Sequence, residues 1–311
     1  MPNLALMKLS AYHNSLGNEV GFNVAEPDLV LASVVFKKNR HLTDGLQFLY
    51  PNAEIKIGGP GRDLSNTLSK EVEAIRPDYS LYDGKVCQLC GHIEQGCSRH
   101  TPLLGNIFFS MGFTTRGCIR NCYFCVVPKK EGNLRRSQHP EEFHNNGFKT
   151  IMLMDNNWLA DKDWFLETSQ WILDRKLKVW EHGMDIRLLD KEIVARLASL
   201  HWAKPLHFAF DSDDSKDAVE TGIQLLNQGG VDVRGRVRIM VYMNDSSQAE
   251  FDSVLNRCRL LKKWGATPLV MFNIDEKPTK SVNHLRRWTG RPWLFWKFDF
   301  SEYSKKSKLV T

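Results

Sequence analysis

Residues 114–125 read Thr114-Thr115-Arg116-Gly117-Cys118-Ile119-Arg120-Asn121-Cys122-Tyr123-Phe124-Cys125. Three thiols at C-x3-C-x2-C spacing must converge on one centre if they hold metal, and soft sulfur donors select zinc or an iron–sulfur cluster. The two differ in how many protein ligands they take. A structural zinc site wants a fourth ligand from the chain, whereas a cluster held by three thiolates leaves one iron open, which suits a site that must bind substrate. Gly117 opens the loop, and Arg116 and Arg120 give it an electropositive setting suited to thiolates.

A second group precedes it. Cys87, Cys90 and Cys97 form C-x2-C-x6-C, with His92 between and His100 three residues beyond. Four soft donors within 14 residues would make a small Cys3His zinc knuckle. An auxiliary iron–sulfur cluster and a loop of unbound thiols are the other two readings. The seventh cysteine, Cys258, sits between Leu255 and Leu261 in a helical stretch and reads as core.

The elements that must position these groups follow from hydrophobic periodicity. Residues 4–16 have helical spacing, 29–36 form an apolar run fit for a buried parallel strand, 42–49 are helical, and 54–57 are a short strand closed by Gly58-Gly59-Pro60-Gly61. This is a small, Rossmann-like α/β unit over 1–82. Its glycines either turn the chain sharply or let backbone approach a ligand. A Cys-rich connector occupies 83–105. From 106 to 311, strand candidates at 107–113, 150–154, 178–180 (running towards 186), 207–210, 236–242 and 268–273 alternate with helices at 164–175, 191–200, 216–227 and 249–264. That rhythm predicts an α/β fold with a full or partial (β/α)6 TIM-like barrel, whose chemistry belongs at the C-terminal strand ends. The tail after Tyr303 is polar and lysine-rich.

The pattern C-x3-C-x-aromatic-x-C, with Phe124 as the aromatic and the loop after the first barrel strand, resembles that of the radical S-adenosylmethionine (SAM) superfamily. The resemblance implies a [4Fe–4S] cluster on Cys118, Cys122 and Cys125 whose open iron chelates SAM. It implies reductive cleavage of SAM to a 5′-deoxyadenosyl radical that abstracts a substrate hydrogen, with a one-electron reductant such as flavodoxin or ferredoxin as partner. It further implies that Phe124 shapes the SAM pocket. Asp155-Asn156 stand where the family has a Gly-Gly-Glu-like turn for the SAM amino group. Neither glycine is present, so either residue accepts from an ammonium or the two form a plain turn. Asp185 and Arg187, two apart at strand spacing, fall where the family binds ribose or the SAM carboxylate; an Asp–Arg ion pair is the other reading. Asp211, at a strand end, contacts ribose or substrate or caps the next helix. Arg236, Arg238 and Tyr242 share a face of the fifth strand.

Residues 26–33 and 55–60 also resemble the cobalamin-binding domain of one radical SAM subgroup. The unit is shorter, however, and the Asp-x-His-x-x-Gly cobalt-ligand motif is absent. Cobalamin is therefore not expected, and a cobalamin-dependent methylase is an alternative only. Residues 126–132 resemble the tRNA methylthiotransferases, without the RNA-binding C-terminal barrel of that group.

The 311 residues carry 42% hydrophobic and 25% charged side chains and a net charge of +6, an ordinary globular composition. No run approaches a membrane span, and the N-terminus lacks the order of a secretory leader. The expected setting is cytoplasmic, where cysteines serve metal or redox chemistry. Basic residues recur at Lys129-Lys130, Arg135-Arg136, Arg234/Arg236/Arg238, Arg286-Arg287 and Lys305-Lys306. A nucleic-acid substrate is compatible with them, and the alternative class is a zinc-stabilised nucleic-acid-binding protein. The cation–aromatic stretch 285–296 either stacks bases or packs structurally with its tryptophans buried; packing is the expectation. The substrate and the catalytic residues are not legible.

Overall fold

The computed structural model describes residues 1–93 and 104–307, with side chains as far as Ser304. Two compact units emerge, one of Met1–Asn121, Cys125–Asp155 and Lys176–Lys178, the other of Cys122–Phe124, Asn156–Arg175 and Val179–Thr311.

In the first unit the helix Leu4–Ser15 starts where the Asn3 side chain accepts from the Leu6 N–H, supplying one of the four bonds that a helix start lacks. Strands β1 (Leu29–Ser33) and β2 (Glu54–Gly58) pair in parallel, Leu29 opposite Glu54. The Gly-rich turn after β2 serves the chain itself. Gly59 has φ +96°, and any Cβ on it would strike the Val34 backbone, so the glycine is there for close chain approach. A cavity of about 500 Å³ is lined by apolar and polar side chains alike, among them Leu6, Phe22, Leu29, His13, Glu26 and Asp28.

Further along are β3 (Val86–Cys87), β4 (Leu104–Gly105), β5 (Ser110–Gly112), β6 (Thr115–Arg116), β7 (Arg135–Arg136) and β8 (Thr150–Leu153). β5 pairs in parallel with β8, and β6 pairs antiparallel with β7. The buried Tyr79 hydroxyl supports this sheet, accepting from the Met111 N–H at 3.1 Å and donating to the Phe143 carbonyl at 2.6 Å. The strand expected over 107–113 thus shrinks to three residues, because the chain leaves the ladder before Thr114, whose N–H turns to Asp155.

Strand β9 spans Lys178–Trp180, and β10 (His201–Trp202) follows the helix Lys191–Ser199. β11 (Leu206–Ala209), β12 (Val237–Met243) and β13 (Thr267–Phe272) form a three-stranded parallel sheet in that order. The helices Lys162–Asp174, Lys191–Ser199 and Gln248–Lys263 start at the side-chain caps Asp161, Asp190 and Ser247. The βα rhythm is therefore present, but among the described residues no ladder closes the strands into a barrel. Periodicity reports which residues are buried, and closure depends on strand-edge pairing that it does not encode.

β12 alternates as a strand covered unequally on its two faces should. Val237, Ile239, Val241 and Met243 are buried; Arg238, Met240 and Tyr242 are half-buried. Arg236 is not on this strand. It ends a short helix, Val233–Arg236, capped by Asp232, and is exposed. At the C-terminal end Leu285, Trp288, Leu294 and Phe295 are buried, while Trp293 is 63% exposed and departs from the expected packing. The Arg234 guanidinium stacks 4.3 Å from the Trp296 ring centroid, and Lys130 donates to the Leu64 and Asn66 carbonyls; these two cations are engaged within the fold. No helix among the described residues is long and apolar enough to cross a membrane.

Cys258 is fully buried, and burial pushes its thiol up to about 12. A thiol reacts through its thiolate. Native protein treated with iodoacetamide at pH 8 is therefore expected to leave Cys258 unmodified until denaturant is added, as peptide mass spectrometry will show. Modification at the rate of Cys118 would contradict the core assignment.

Candidate SAM and cluster site

The first unit supplies the two ends of the three-cysteine loop. β6 and β7 clamp residues 117–134 at their base, with Thr115 opposite Arg136 and Arg116 opposite Arg135. Gly117 turns the chain at φ +78°, where a Cβ would collide with the Asn133 carbonyl, so only glycine fits. Arg116 does not face the thiols as a loose cation. Its guanidinium is held by Glu73 at 3.0 Å and Glu131 at 3.1 Å, and it lies over the Phe113 ring at 3.9 Å.

Asp155 closes the other side. It is buried and accepts from the Thr114 N–H at 3.1 Å, from the Thr114 and Thr115 hydroxyls at 2.6 Å each, and from the Thr115 N–H. Burial pushes its carboxyl up against the pull of these four donors. Both oxygens are thus spent on the start of the cysteine loop, a link that residue types alone do not reveal.

In the second unit the Phe124 ring stacks on Tyr242, centroids 4.1 Å apart and planes 18° from parallel, and Tyr123 meets Phe124 edge-on. Tyr242's own N–H donates to Asp211 at 2.8 Å. Asp211 follows β11 as expected, but it caps no helix; Ser212 does that by accepting from Asp214. Burial pushes the Asp211 carboxyl up, with the Tyr242 N–H, Arg257 and Arg187 pulling it down. Arg257, itself buried, donates to the Phe210 carbonyl at 3.0 Å and the Tyr242 carbonyl at 3.4 Å. It braces the strand ends that carry Asp211 and Tyr242, although its position inside a helix gave no functional cue.

Asp185 and Arg187 form a bidentate ion pair, with Nε–Oδ1 at 2.6 Å and Nη2–Oδ2 at 3.0 Å. They are not side by side on a strand. Asp185 caps a 3-10 turn, Ile186–Leu188, and accepts the Arg187 N–H, while its own N–H donates to the Asn157 side chain at 3.3 Å. A two-residue spacing fits strand and turn alike, so spacing did not separate them. Arg187 also feels the Cys122 sulfur and Asp211. The second unit thus gathers Cys122, Phe124, Tyr242, Asp211, Arg187 and Asp185, and half-buried Asn156 follows Asp155 at the end of the β8 turn.

No protein-family model matches the chain, and no curated protein sequence does. A solved structure matches it: the radical SAM methyltransferase TsrM from Kitasatospora setae, with cobalamin and a [4Fe–4S] cluster bound. The likeness has a TM-score of 0.55 at 14% identity and covers 86% of this chain and 68% of TsrM. The chain shares the overall fold of that structure.

Within this fold the donor set suits a three-thiolate centre. Cys118, Cys122 and Cys125 are half-buried thiols outside any disulfide. The Arg120 N–H donates to the Cys118 sulfur at 3.4 Å and the Val127 N–H to the Cys125 sulfur at 3.5 Å, the kind of amide–sulfur contact that stabilises thiolate ligands. Among the described residues no three Cys, His, Asp or Glu side chains are drawn together as a metal-holding group. The loop presents donors of the right chemistry, and the second group is described only at Cys87, Cys90 and His92; Cys97 and His100 lie outside the described residues.

Proposed function

We propose that this protein is a radical SAM enzyme that cleaves SAM reductively and uses the resulting radical on a substrate not named by its sequence. The three-thiol loop on a radical SAM fold carries the reading. Cys118, Cys122 and Cys125 would hold a [4Fe–4S] cluster, which when bound supplies the electron for cleavage; a flavodoxin- or ferredoxin-like donor would deliver it. The chain's residues orient and shield. Phe124, stacked with Tyr242, offers an aromatic wall for adenine. Asp211 and the Asp185–Arg187 pair offer a carboxylate and a guanidinium for ribose hydroxyls and for the SAM carboxylate, and Asn156 offers an amide for the SAM amino group. Asp155 positions the loop and does not touch SAM in this reading.

The test is anaerobic reconstitution with iron and sulfide, then SAM and dithionite. Methionine and 5′-deoxyadenosine in equal amounts are expected by chromatography. A reconstituted, brown protein that binds SAM yet forms neither product under any reductant would defeat the proposal.

A second reading is favoured by one observation. The likeness to cobalamin-bound TsrM spans 86% of the chain, more than residues 106–311 alone, so it includes part of the small N-terminal unit. A cobalamin-dependent methylase is supported to that extent. Copurification or tight binding of hydroxocobalamin, read from its visible absorption, would favour it over the simpler radical enzyme.

A further inference from the structure

Glu181 and His207 meet inside the second unit and stand outside the set assigned to SAM. Glu181 follows β9 and is 3% exposed. Its Oε1 accepts the His207 N–H at 2.7 Å and lies 3.6 Å from the His207 Nδ1, the second distance being that of an ion pair and too long for a hydrogen bond. Glu181 Oε2 and His207 Nδ1 are both buried and, among the described residues, have no hydrogen-bond partner. A buried carboxylate oxygen and a buried imidazole nitrogen left unpaired both cost stability. Groups of this kind, kept in a native fold, point to a functional role.

The strands put this pair on the face that carries Tyr242. In β11 Leu206 and Phe208 are buried, while His207 and Ala209 are half-buried. In register, His207 stands opposite Arg238 and Ala209 opposite Met240, and Arg238, Met240 and Tyr242 form the half-buried face of β12. Arg238 precedes Tyr242 by four residues, which at strand rise is about 13 Å down the sheet. Residues 181–184 run alongside: the Met184 N–H donates to the His207 carbonyl at 2.9 Å, and a Cβ on Gly183 would strike the Met240 methyl. The His207 side chain is 21% exposed although its Nδ1 is buried. The open edge of the ring is therefore the far one, which carries Nε2. Arg238 donates to the Val237 carbonyl at 2.8 Å and, among the described residues, has no carboxylate partner.

We propose that His207 is the proton acceptor for a substrate carrying a weakly acidic N–H or O–H, with Glu181 as its positioning residue. Its service to a substrate beneath Tyr242 rests on the radical SAM reading; the chemistry of the pair does not. The proton passes from the substrate to Nε2, the electron pair stays on the substrate, and the Arg238 guanidinium is the cation at hand for the resulting anion. Glu181 accepts from the Nδ1–H and holds the ring; it takes no proton itself. With Nδ1 as donor, the neutral ring keeps Nε2 bare, the form a base requires.

Two measurements on the full chain as purified test this, and neither needs iron or SAM. Nitrogen NMR of histidine-labelled protein should show neutral His207 with its proton on Nδ1. Diethyl pyrocarbonate should modify His207 at Nε2 at a rate comparable with that of exposed His201, as peptide mass spectrometry will show. In Glu181→Gln the new amide donates to Nδ1 and so moves the ring proton to Nε2. Reaction at His207 should then slow by about tenfold or more, the low end of the loss when an outer partner of a histidine is removed, with His201 unchanged. Should Glu181→Gln fold poorly, the tautomer and the modification site in the natural chain decide independently. A neutral His207 protonated at Nε2, or a His207 inert to the reagent until denaturant is added, would overturn the proposal, the latter being the mark of a purely structural imidazole. A folded Glu181→Gln chain that reacts as fast as the natural one would do the same. If His207 behaves as expected while the reconstituted protein yields no 5′-deoxyadenosine, the SAM reading fails and the pair stands.

Discussion

Replacing Cys118, Cys122 or Cys125 singly with alanine is expected to abolish bound iron at this loop and to reduce 5′-deoxyadenosine formation to background. The loss should exceed the 10–100-fold typical of removing an outer partner of a metal ligand, because each change removes a donor from a set that has no spare. The fold should survive it. All three thiols are only half-buried, and the strands flanking the loop are held by contacts that do not involve sulfur: β6 with β7, the Asp155 bonds, and Arg116 between Glu73 and Glu131. Iron-free natural chain and iron-free variant should therefore melt together, with variant activity lost and stability kept. An alanine variant that retained both iron and product formation would refute the ligand assignment.

Asp155→Ala should show the opposite balance, with stability lost first. The carboxylate answers two N–H groups and two hydroxyls in a buried site. An unsatisfied buried polar group costs about 1–3 kcal/mol, and the hydroxyls can rotate to other acceptors, so a net loss of roughly 3–5 kcal/mol is expected. It would be read as a lower denaturant midpoint at unchanged slope. Asp155→Asn keeps one acceptor oxygen and should lose less. The pH dependence has a definite sign. Burial raises this carboxyl above its ordinary 3.8, so its support for the fold is greatest below that value and declines as the pH rises through the folded one. The gap between natural chain and Asp155→Asn should thus narrow from acid towards neutral pH. Where Asp155→Asn folds, cleavage of SAM should still fall about 10–100-fold, as for other supports of a ligand set, since Thr114 and Thr115 open the cysteine loop. A midpoint unaffected by Asp155→Ala would show that the four bonds are not what holds the loop.

Much of the architecture was legible because burial periodicity is local. The helix 4–16, the strands near 29–33, 54–58, 206–209, 237–243 and 267–272, and the helices between them lie within a few residues of their sequence expectation. What failed did so for identifiable reasons. Arg236 read as strand because it alternates with Arg238, yet Asp232 offers a cap that starts a helix turn first. Asp185 and Arg187 read as strand neighbours, yet the carboxylate caps its own turn. Capping competes with strand pairing over a few residues, and a side-chain bond two or three residues away wins locally.

The site divides the same way. Three thiols at fixed spacing on one loop, with an aromatic between them, were determined by the sequence, because metal chemistry needs donor types and short spacing before it needs any fold. Only the tertiary structure decided who holds that loop. Asp155 reaches it across 40 residues, Tyr242 stacks on Phe124 from more than 100 residues away, and Arg257 braces both strand ends from within a helix. Ligands that share a short loop are written in order along the chain. Partners brought together by parallel strands are not, since each crossover places their neighbours far apart in sequence, and so their meeting is a property of the packed sheet alone.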